Sequence, residues 1–152
     1  MKPVLFLRIA SVLTLIHSVL HTIGGVFGTP SPGVEAATVE VMKANQFPVF
    51  GLMRSYFLFF RGMGLAVTIL LTAEAIVFWQ LGTLAKVDAV RLRPIMATFL
   101  IAYLAFALNS YAYFFYLPVI TEILIAVCLG MAIVTAKAAD PAPATGLAAG
   151  RI

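Results

Sequence analysis

Charged residues are scarce in this sequence of 152 residues: Asp, Glu, Lys and Arg together make up 11% of it, whereas hydrophobic residues make up 62%. Ordinary globular domains carry about 25% charged and about 45–50% apolar residues. A membrane-spanning helix needs about 20 predominantly apolar residues, and the chain has room for about four such runs. The composition therefore excludes an ordinary soluble domain and predicts an integral membrane protein embedded in a lipid bilayer.

Cysteine is nearly absent. The single residue, Cys128, lies in an apolar run, which excludes an internal disulfide and a Cys-x-x-Cys redox pair. Basic residues exceed acidic ones, ten against six, for a net charge of +4. They are scattered near the ends of the apolar runs and form no basic stripe. Because nucleic-acid binding requires such a stripe or patch, we predict no nucleic-acid partner.

Four apolar runs are separated by short polar connections. Since short connections join antiparallel neighbours in helical bundles, we predict an all-α fold, an antiparallel four-transmembrane-helix bundle formed by residues 1–138. Residues 139–152 are rich in proline, alanine and glycine, which predicts a disordered C-terminal tail. The predicted helices lie in the runs 4–27, 48–81, 94–116 and 118–137.

The polar connection between the first two runs carries a helix-start signal. Ser31 followed by Pro32 is typical of an N-cap with proline at the first helical position, and Glu35 falls in the first turn. We predict a short helix on the membrane surface, with an apolar face formed by Val34, Ala37 and Val41. The second run is longer than a bilayer requires, so Arg54 is predicted to lie in a helical extension outside the span 60–80.

The distribution of Lys and Arg predicts the orientation of the chain, because these residues are enriched in cytoplasmic connections. Seven lie on the side of the termini: Lys2, Arg8, Lys86, Arg91, Arg93, Lys137 and Arg151. Three lie on the other side: Lys43, Arg54 and Arg61. We therefore predict that both termini are cytoplasmic, and that the membrane is a bacterial cytoplasmic membrane.

Polar residues inside the predicted helices converge in the outer half of the membrane. His17 and His21 are four residues apart and share one face of the first helix, and a rise of ~1.5 Å per residue places His21 and Asn109 each roughly 9 Å below the outer surface. Ionisable groups in spans usually face the interior and often mark a function. We predict a pocket that opens toward the outer leaflet and is lined by His17, His21, Arg61, Asn109, Tyr113 and Glu122.

A pocket of this kind predicts binding of a lipophilic small molecule. Its polar residues would hold the head of a quinone, an isoprenoid or a lipid, while phenylalanine and leucine side chains line the tail. Histidine could also act there as a general acid or base.

A metal site is an alternative for the same residues. His17 and His21 present two nitrogens to one ion, and Glu122 could add a carboxylate. However, neither a His-Glu-x-x-His motif nor the paired Glu-x-x-His motifs of di-iron bundles are present. One histidine could also bind haem, although nothing in the sequence favours haem.

Two further classes of protein stay open. In the first, the histidines are structural and the chain is an accessory or assembly subunit of a larger membrane complex. Alternatively, the chain could be a small oligomeric transporter that uses a membrane carboxylate, either Glu74 or Glu122. Glu74 points to nearly the opposite face of its helix from Arg61 and faces no obvious cation, so it could be protonated, pair with another subunit or carry a proton.

In size and number of spans the chain resembles the DoxX-type and MAPEG-type membrane proteins. The second helix lacks the Glu, Arg and Asn pattern of the MAPEG type, and residues 7–10, LRIA, are too few to indicate the DoxX type. The first helix also lacks the acidic residue of the small multidrug exporters. The sequence is therefore assigned to no family.

Overall fold

The computed structural model describes residues 2–137, and the predicted tail 139–152 lies outside them. Residues 2–137 are 81% helical, which confirms the all-α class. Four of its helices are long and apolar enough to cross a membrane. The elements, in chain order, are α1 Lys2–Leu20 with a π-helical continuation His21–Val26, α2 Val34–Ala44, β1 Gln46–Val49, β2 Leu52–Ser55, α3 Tyr56–Asp88, α4 Arg93–Tyr113 and α5 Tyr116–Thr135.

Helix α1 lies at the centre of the packing. It contacts α3 along one side and α5 along the other, and α5 in turn packs against α4. The backbones of α3 and α4 approach each other at few points, and aromatic side chains bridge them. Phe78 on α3 contacts Phe99 edge-on with ring centroids 4.9 Å apart, and its centroid is 5.9 Å from that of Tyr103.

The buried core is built from large side chains on four helices and small residues between them. Its largest members are fully buried, and alanines allow the helices to approach closely. They are Leu7, Phe78, Met96, Tyr103, Ile125 and Leu129, together with Ala10, Ala85, Ala126 and Ala132.

The first helix ends in a π-helical turn that the sequence did not predict. This wider turn contains Gly24 and Gly25, which have low helix propensity. Gly28 follows it at a close approach of the backbone, where a Cβ atom would collide with the carbonyl of Gly24. Only glycine fits this position without a backbone shift.

The prediction that Arg54 lies in a helical extension is wrong. Residues 46–55 form an antiparallel hairpin instead, with Val49 paired to Leu52. Phe50 and Gly51 at its tip both have positive φ, 46° and 83°, which is the combination that a two-residue type I′ turn requires. Helix α3 begins only at Tyr56, where the Ser55 hydroxyl accepts the backbone N–H of Leu58 at 3.4 Å.

A short helix does follow the first span, as predicted, but it begins at Val34. Pro32 belongs to the preceding turn rather than to the first helical turn. Instead of an N-cap at Ser31, the Glu35 carboxylate accepts the backbone N–H of Ser31 at 2.9 Å. No residue of α2 is buried, and Val34 and Val41 on the predicted apolar face are exposed.

Candidate functional site

A polar seam runs along the interface of α1 and α3 over almost its whole length. Near the start of α1, Arg8 donates to the Thr83 hydroxyl at 2.9 Å and its guanidinium lies 3.5 Å from the Trp79 ring centroid. Further along α1, Ser11 contacts the Ala75 carbonyl and Ser18 contacts Thr72. In the π-helical continuation, Thr22 contacts Thr68 and His21 contacts the Gly64 carbonyl. Interhelical hydrogen bonds of this kind hold helices together where no water competes.

Tyr103 joins this seam to α4. Its side chain is completely buried, and its hydroxyl donates to Oε2 of Glu74 at 2.7 Å. The same hydroxyl lies 3.3 Å from Oγ1 of Thr14, which itself donates to the Ala10 carbonyl at 2.9 Å. Because a tyrosine hydroxyl has a single proton, Tyr103 can donate to Thr14 only when Glu74 is protonated and donates to Tyr103.

Glu122 is the most deeply buried carboxyl group among residues 2–137, with 5% of the residue exposed. The Ser110 hydroxyl donates to its Oε1 at 2.9 Å, whereas its buried Oε2 has no hydrogen-bond partner in the described chain. Its partner Ser110 lies on the same buried face of α4 as Tyr103, seven residues away. We call Glu74, Tyr103, Ser110 and Glu122 the carboxyl cluster.

The carboxyl cluster has no basic partner. The ion pairs found within residues 2–137 are Lys43 with Glu40 and Arg91 with Asp88, both on exposed parts of the chain. An unpaired carboxylate is costly in an apolar interior. The cluster is therefore suited to hold protons, or to receive a polar group from outside the chain.

The two histidines are half-buried side chains of the first helix and its π-helical continuation. His21 contacts the Gly64 carbonyl of α3 through Nε2 at 3.0 Å. The Nδ1 atom of His17 is buried and has no hydrogen-bond partner in the described part of the chain, so His17 retains a ring nitrogen available for acid–base chemistry.

Glu122 is the one predicted site residue in the carboxyl cluster; within residues 2–137 neither the histidines nor Arg61, Asn109 and Tyr113 hydrogen-bond to it. The guanidinium of Arg61 lies over the Phe27 ring, 4.6 Å from its centroid. Asn109 and Tyr113 are exposed on the outer surface of α4. Ser110, the residue after Asn109, is the one that faces Glu122.

The described residues do not assemble the candidate metal site. Within 2–137, no three His, Cys, Asp or Glu side chains come together in a way that could hold a metal ion. His17, His21 and Glu122 therefore form no three-residue ligand set.

Tyr103 and Ser110 are the members of the carboxyl cluster that the sequence did not predict. They are seven residues apart and so share a face of α4 with Ala107 between them, and all three are buried. That spacing is the signal that could have identified them. This spacing is hard to recognise in the sequence because α4 is apolar on every side. The hydrophobic periodicity of the helix therefore does not distinguish its inner face from its outer face.

Surface concavities occur elsewhere on the described chain. One of about 500 Å³ lies at the α4–α5 corner between residues 111 and 116. Another, of about 570 Å³, follows the outward face of α3 below Arg54. Neither contains a predicted site residue.

The chain has no match that would identify it. No protein-family model matches the sequence, and neither does any curated protein or solved structure.

Proposed function

We propose that the chain is a small integral membrane protein, arranged as an antiparallel four-helix bundle, that binds the polar head of a lipophilic small molecule at the carboxyl cluster. The four long apolar helices support the membrane placement. So do the many large apolar side chains on their outer faces, among them Leu15, Ile69, Ile101 and Val127, because lipid tails cover such a surface without cost.

The observation that carries the proposal is the free oxygen of Glu122. A carboxyl group that is 95% buried normally has all its polar atoms satisfied, yet one oxygen of Glu122 has no partner within the described residues. A protonated carboxyl can donate to a carbonyl or hydroxyl group. The head of a quinone, an isoprenoid alcohol or a lipid offers such groups.

The ligand is proposed to reach the cluster between α3 and α4. The backbones of those helices approach closely at few points, with aromatic side chains bridging them, and Glu74 on α3 is only half-buried. A molecule dissolved in the bilayer can reach the cluster from the side, with its tail left among the outer apolar side chains. His17 lies one turn along α1 from Thr14. If the bound molecule undergoes proton transfer, His17 supplies the general acid or base.

Mass spectrometry of organic extracts tests this function. The full-length protein is purified in a mild detergent as wild type, as Glu122→Leu and as Glu40→Leu, the last of which removes an exposed carboxyl on α2. We expect a stoichiometric lipophilic molecule in the wild type and in Glu40→Leu, and about a tenfold reduction in Glu122→Leu, since a hydrogen bond to a charged or buried group contributes about 1.4 kcal/mol.

An extract of the wild type without a stoichiometric lipophile would contradict the proposal, as would an unchanged yield in Glu122→Leu. Leucine has a similar volume and removes the unsatisfied oxygen, so the variant is expected to fold. Thermal unfolding of each preparation verifies that it does.

A second function, proton-coupled transport, is favoured by the bond between Tyr103 and Glu74. Protonation of Glu74 reverses its hydrogen bond with Tyr103 and frees the tyrosine hydroxyl to donate to Thr14, so Glu74 can take up and release a proton in the interior. In liposomes with a trapped pH-sensitive dye, an imposed pH gradient should then decay faster with wild type than with Glu74→Gln or Tyr103→Phe. Equal rates for all three proteins would eliminate this function.

The orientation that we propose has both termini in the cytoplasm of a bacterial cell. The support comes from the excess of Lys and Arg on the side of the termini, seven against three along the whole sequence. In that orientation α2, the hairpin and the beginning of α3 face the outside.

A further inference from the structure

An apolar groove on the outward face of α3 has a single charged residue at its end. Leu58, Gly62 and Ala66 follow one another at intervals of four along α3, beside Phe59 and Met63. Residues at this spacing form a continuous stripe on a helix. From Leu58 to Ala66 the stripe is ~12 Å long, and beside it lies a shallow, open concavity of about 570 Å³.

The hairpin positions Arg54 at the end of this groove. Phe47 is paired with Arg54 in the β-ladder, and its ring lies 4.9 Å from the ring centroid of Tyr56 and 6.0 Å from that of Phe59. Directly opposed residues of an antiparallel pair project from the same face. The aromatic contacts of Phe47 therefore fix the hairpin against α3 and hold Arg54 beside Phe59.

Arg54 has no acidic partner among residues 2–137. One of its nitrogens donates to the neighbouring Met53 carbonyl at 2.9 Å, which leaves further N–H groups free. A guanidinium group favours phosphate because it can donate two parallel hydrogen bonds. An apolar groove that ends in the free guanidinium group of Arg54 is complementary to a phosphate group attached to an acyl chain.

We propose that this groove binds an anionic phospholipid of the outer leaflet, with its phosphate on Arg54 and the first part of one acyl chain along Leu58, Gly62 and Ala66. The site rests on the membrane placement proposed above but shares no residue with the carboxyl cluster. The position of the missing side chain of Gly62 has no heavy atom within 4 Å, so there is room for an acyl chain beside this residue.

Native mass spectrometry of the full-length protein in detergent tests the site, with palmitoyl-oleoyl phosphatidylglycerol and the zwitterionic phosphatidylcholine of the same chains as probes. Wild type should prefer phosphatidylglycerol. Arg54→Gln should weaken that preference about tenfold, the effect of losing one charge-assisted contact. Arg61→Gln removes an equal charge seven residues away and should leave the preference within about twofold.

Filling the groove tests the acyl-chain part of the site. Gly62→Leu should reduce binding of both lipids, whereas Gly62→Ala, which adds one carbon, should retain most of it. Ala66→Leu narrows the same groove one turn further along and replaces Gly62→Leu if that variant does not fold. Inorganic phosphate should not displace the bound lipid, because it lacks the chain that the groove accommodates.

Three results would overturn the proposal. Equal losses in Arg54→Gln and Arg61→Gln would show general charge attraction, and full binding in folded Gly62→Leu and Ala66→Leu would show that no chain enters the groove. Displacement by phosphate alone would show an anion site without lipid. Changes in Glu122→Leu bear on the carboxyl cluster only, so the two proposals can fail separately.

Discussion

Gly62 and Gly64 lie two positions apart on α3 but differ in how closely other residues pack against them. A Cβ atom on Gly64 would lie 3.0 Å from Cγ2 of Val26, while one on Gly62 would meet no heavy atom within 4 Å. Val26 is β-branched and cannot easily rotate away. Gly64 also accepts a hydrogen bond from His21, so a backbone shift there would disturb the seam.

These glycines predict opposite responses to the same substitution. Gly64→Ala should lower the free energy of unfolding by about 1–2 kcal/mol, the usual cost of overpacking. Gly62→Ala should leave it unchanged or raise it by up to about 1 kcal/mol, because alanine has the higher helix propensity. Unfolding in mixed detergent micelles measures both, and equal effects at the two positions would contradict the observed packing.

At the scale of the element, the beginning of α2 depends on one carboxylate. The backbone N–H of Ser31 donates to Glu35 and holds the pKa of that carboxyl below its ordinary value of 4.5. Because the pKa is lowered in the folded state, the contact stabilises the turn fully at pH values above the ordinary pKa of the carboxyl group. This stabilisation is lost as the pH falls through the lower, folded-state pKa.

We therefore expect the first turn of α2 to loosen in acid. The backbone amide resonance of Ser31 should shift with a midpoint below pH 4.5 and should not titrate in that range in Glu35→Gln. A midpoint at or above that value would contradict the hydrogen bond.

An arginine side chain of α4 stabilises the C-terminal end of α5. Arg93 donates to the Ala136 carbonyl at 2.6 Å, where the carbonyl groups at the helix C-terminus attract a positive charge. Arg91, two residues earlier, pairs instead with Asp88 at 2.9 Å and is highly exposed.

Neutralising these two arginines should have unequal effects. Arg93→Gln should lower the free energy of unfolding by about 1 kcal/mol, and Arg91→Gln by about 0.5 kcal/mol or less, as is usual for surface pairs. Denaturant titrations of the two variants in parallel measure the difference. A larger loss in Arg91→Gln would show that the Arg93 contact contributes little.

At the scale of the whole molecule, the proposed orientation places the hairpin outside and the α3–α4 connection inside. With Cys128 replaced by alanine, a cysteine at Gly51 should react with a membrane-impermeant maleimide in intact cells. A cysteine at Val90 should react only after the membrane is permeabilised. The reverse pattern would invert the orientation, and labelling of both in intact cells would contradict a sealed four-span arrangement.

The helical class and the four long apolar helices could be predicted from the sequence alone. Composition and run length are sufficient for this, because a segment with few charges cannot satisfy its backbone in lipid except as a helix or a closed barrel. The short helix α2 also followed from local signals. Its start was displaced because Glu35 satisfies the Ser31 amide from within the helix, an arrangement that a proline-based rule does not anticipate.

Which polar side chains contact one another depends on how the helices pack in three dimensions. Asn109 and Ser110 are adjacent on an evenly apolar helix, and nothing local selects Ser110 as the neighbour of Glu122. Arg54 and Arg61 would share a face on one continuous helix, but the hairpin separates them. Tyr103 joins Glu74 to Thr14 because α1, α3 and α4 converge on it, and contacts between segments so distant in sequence depend on packing that no local pattern records.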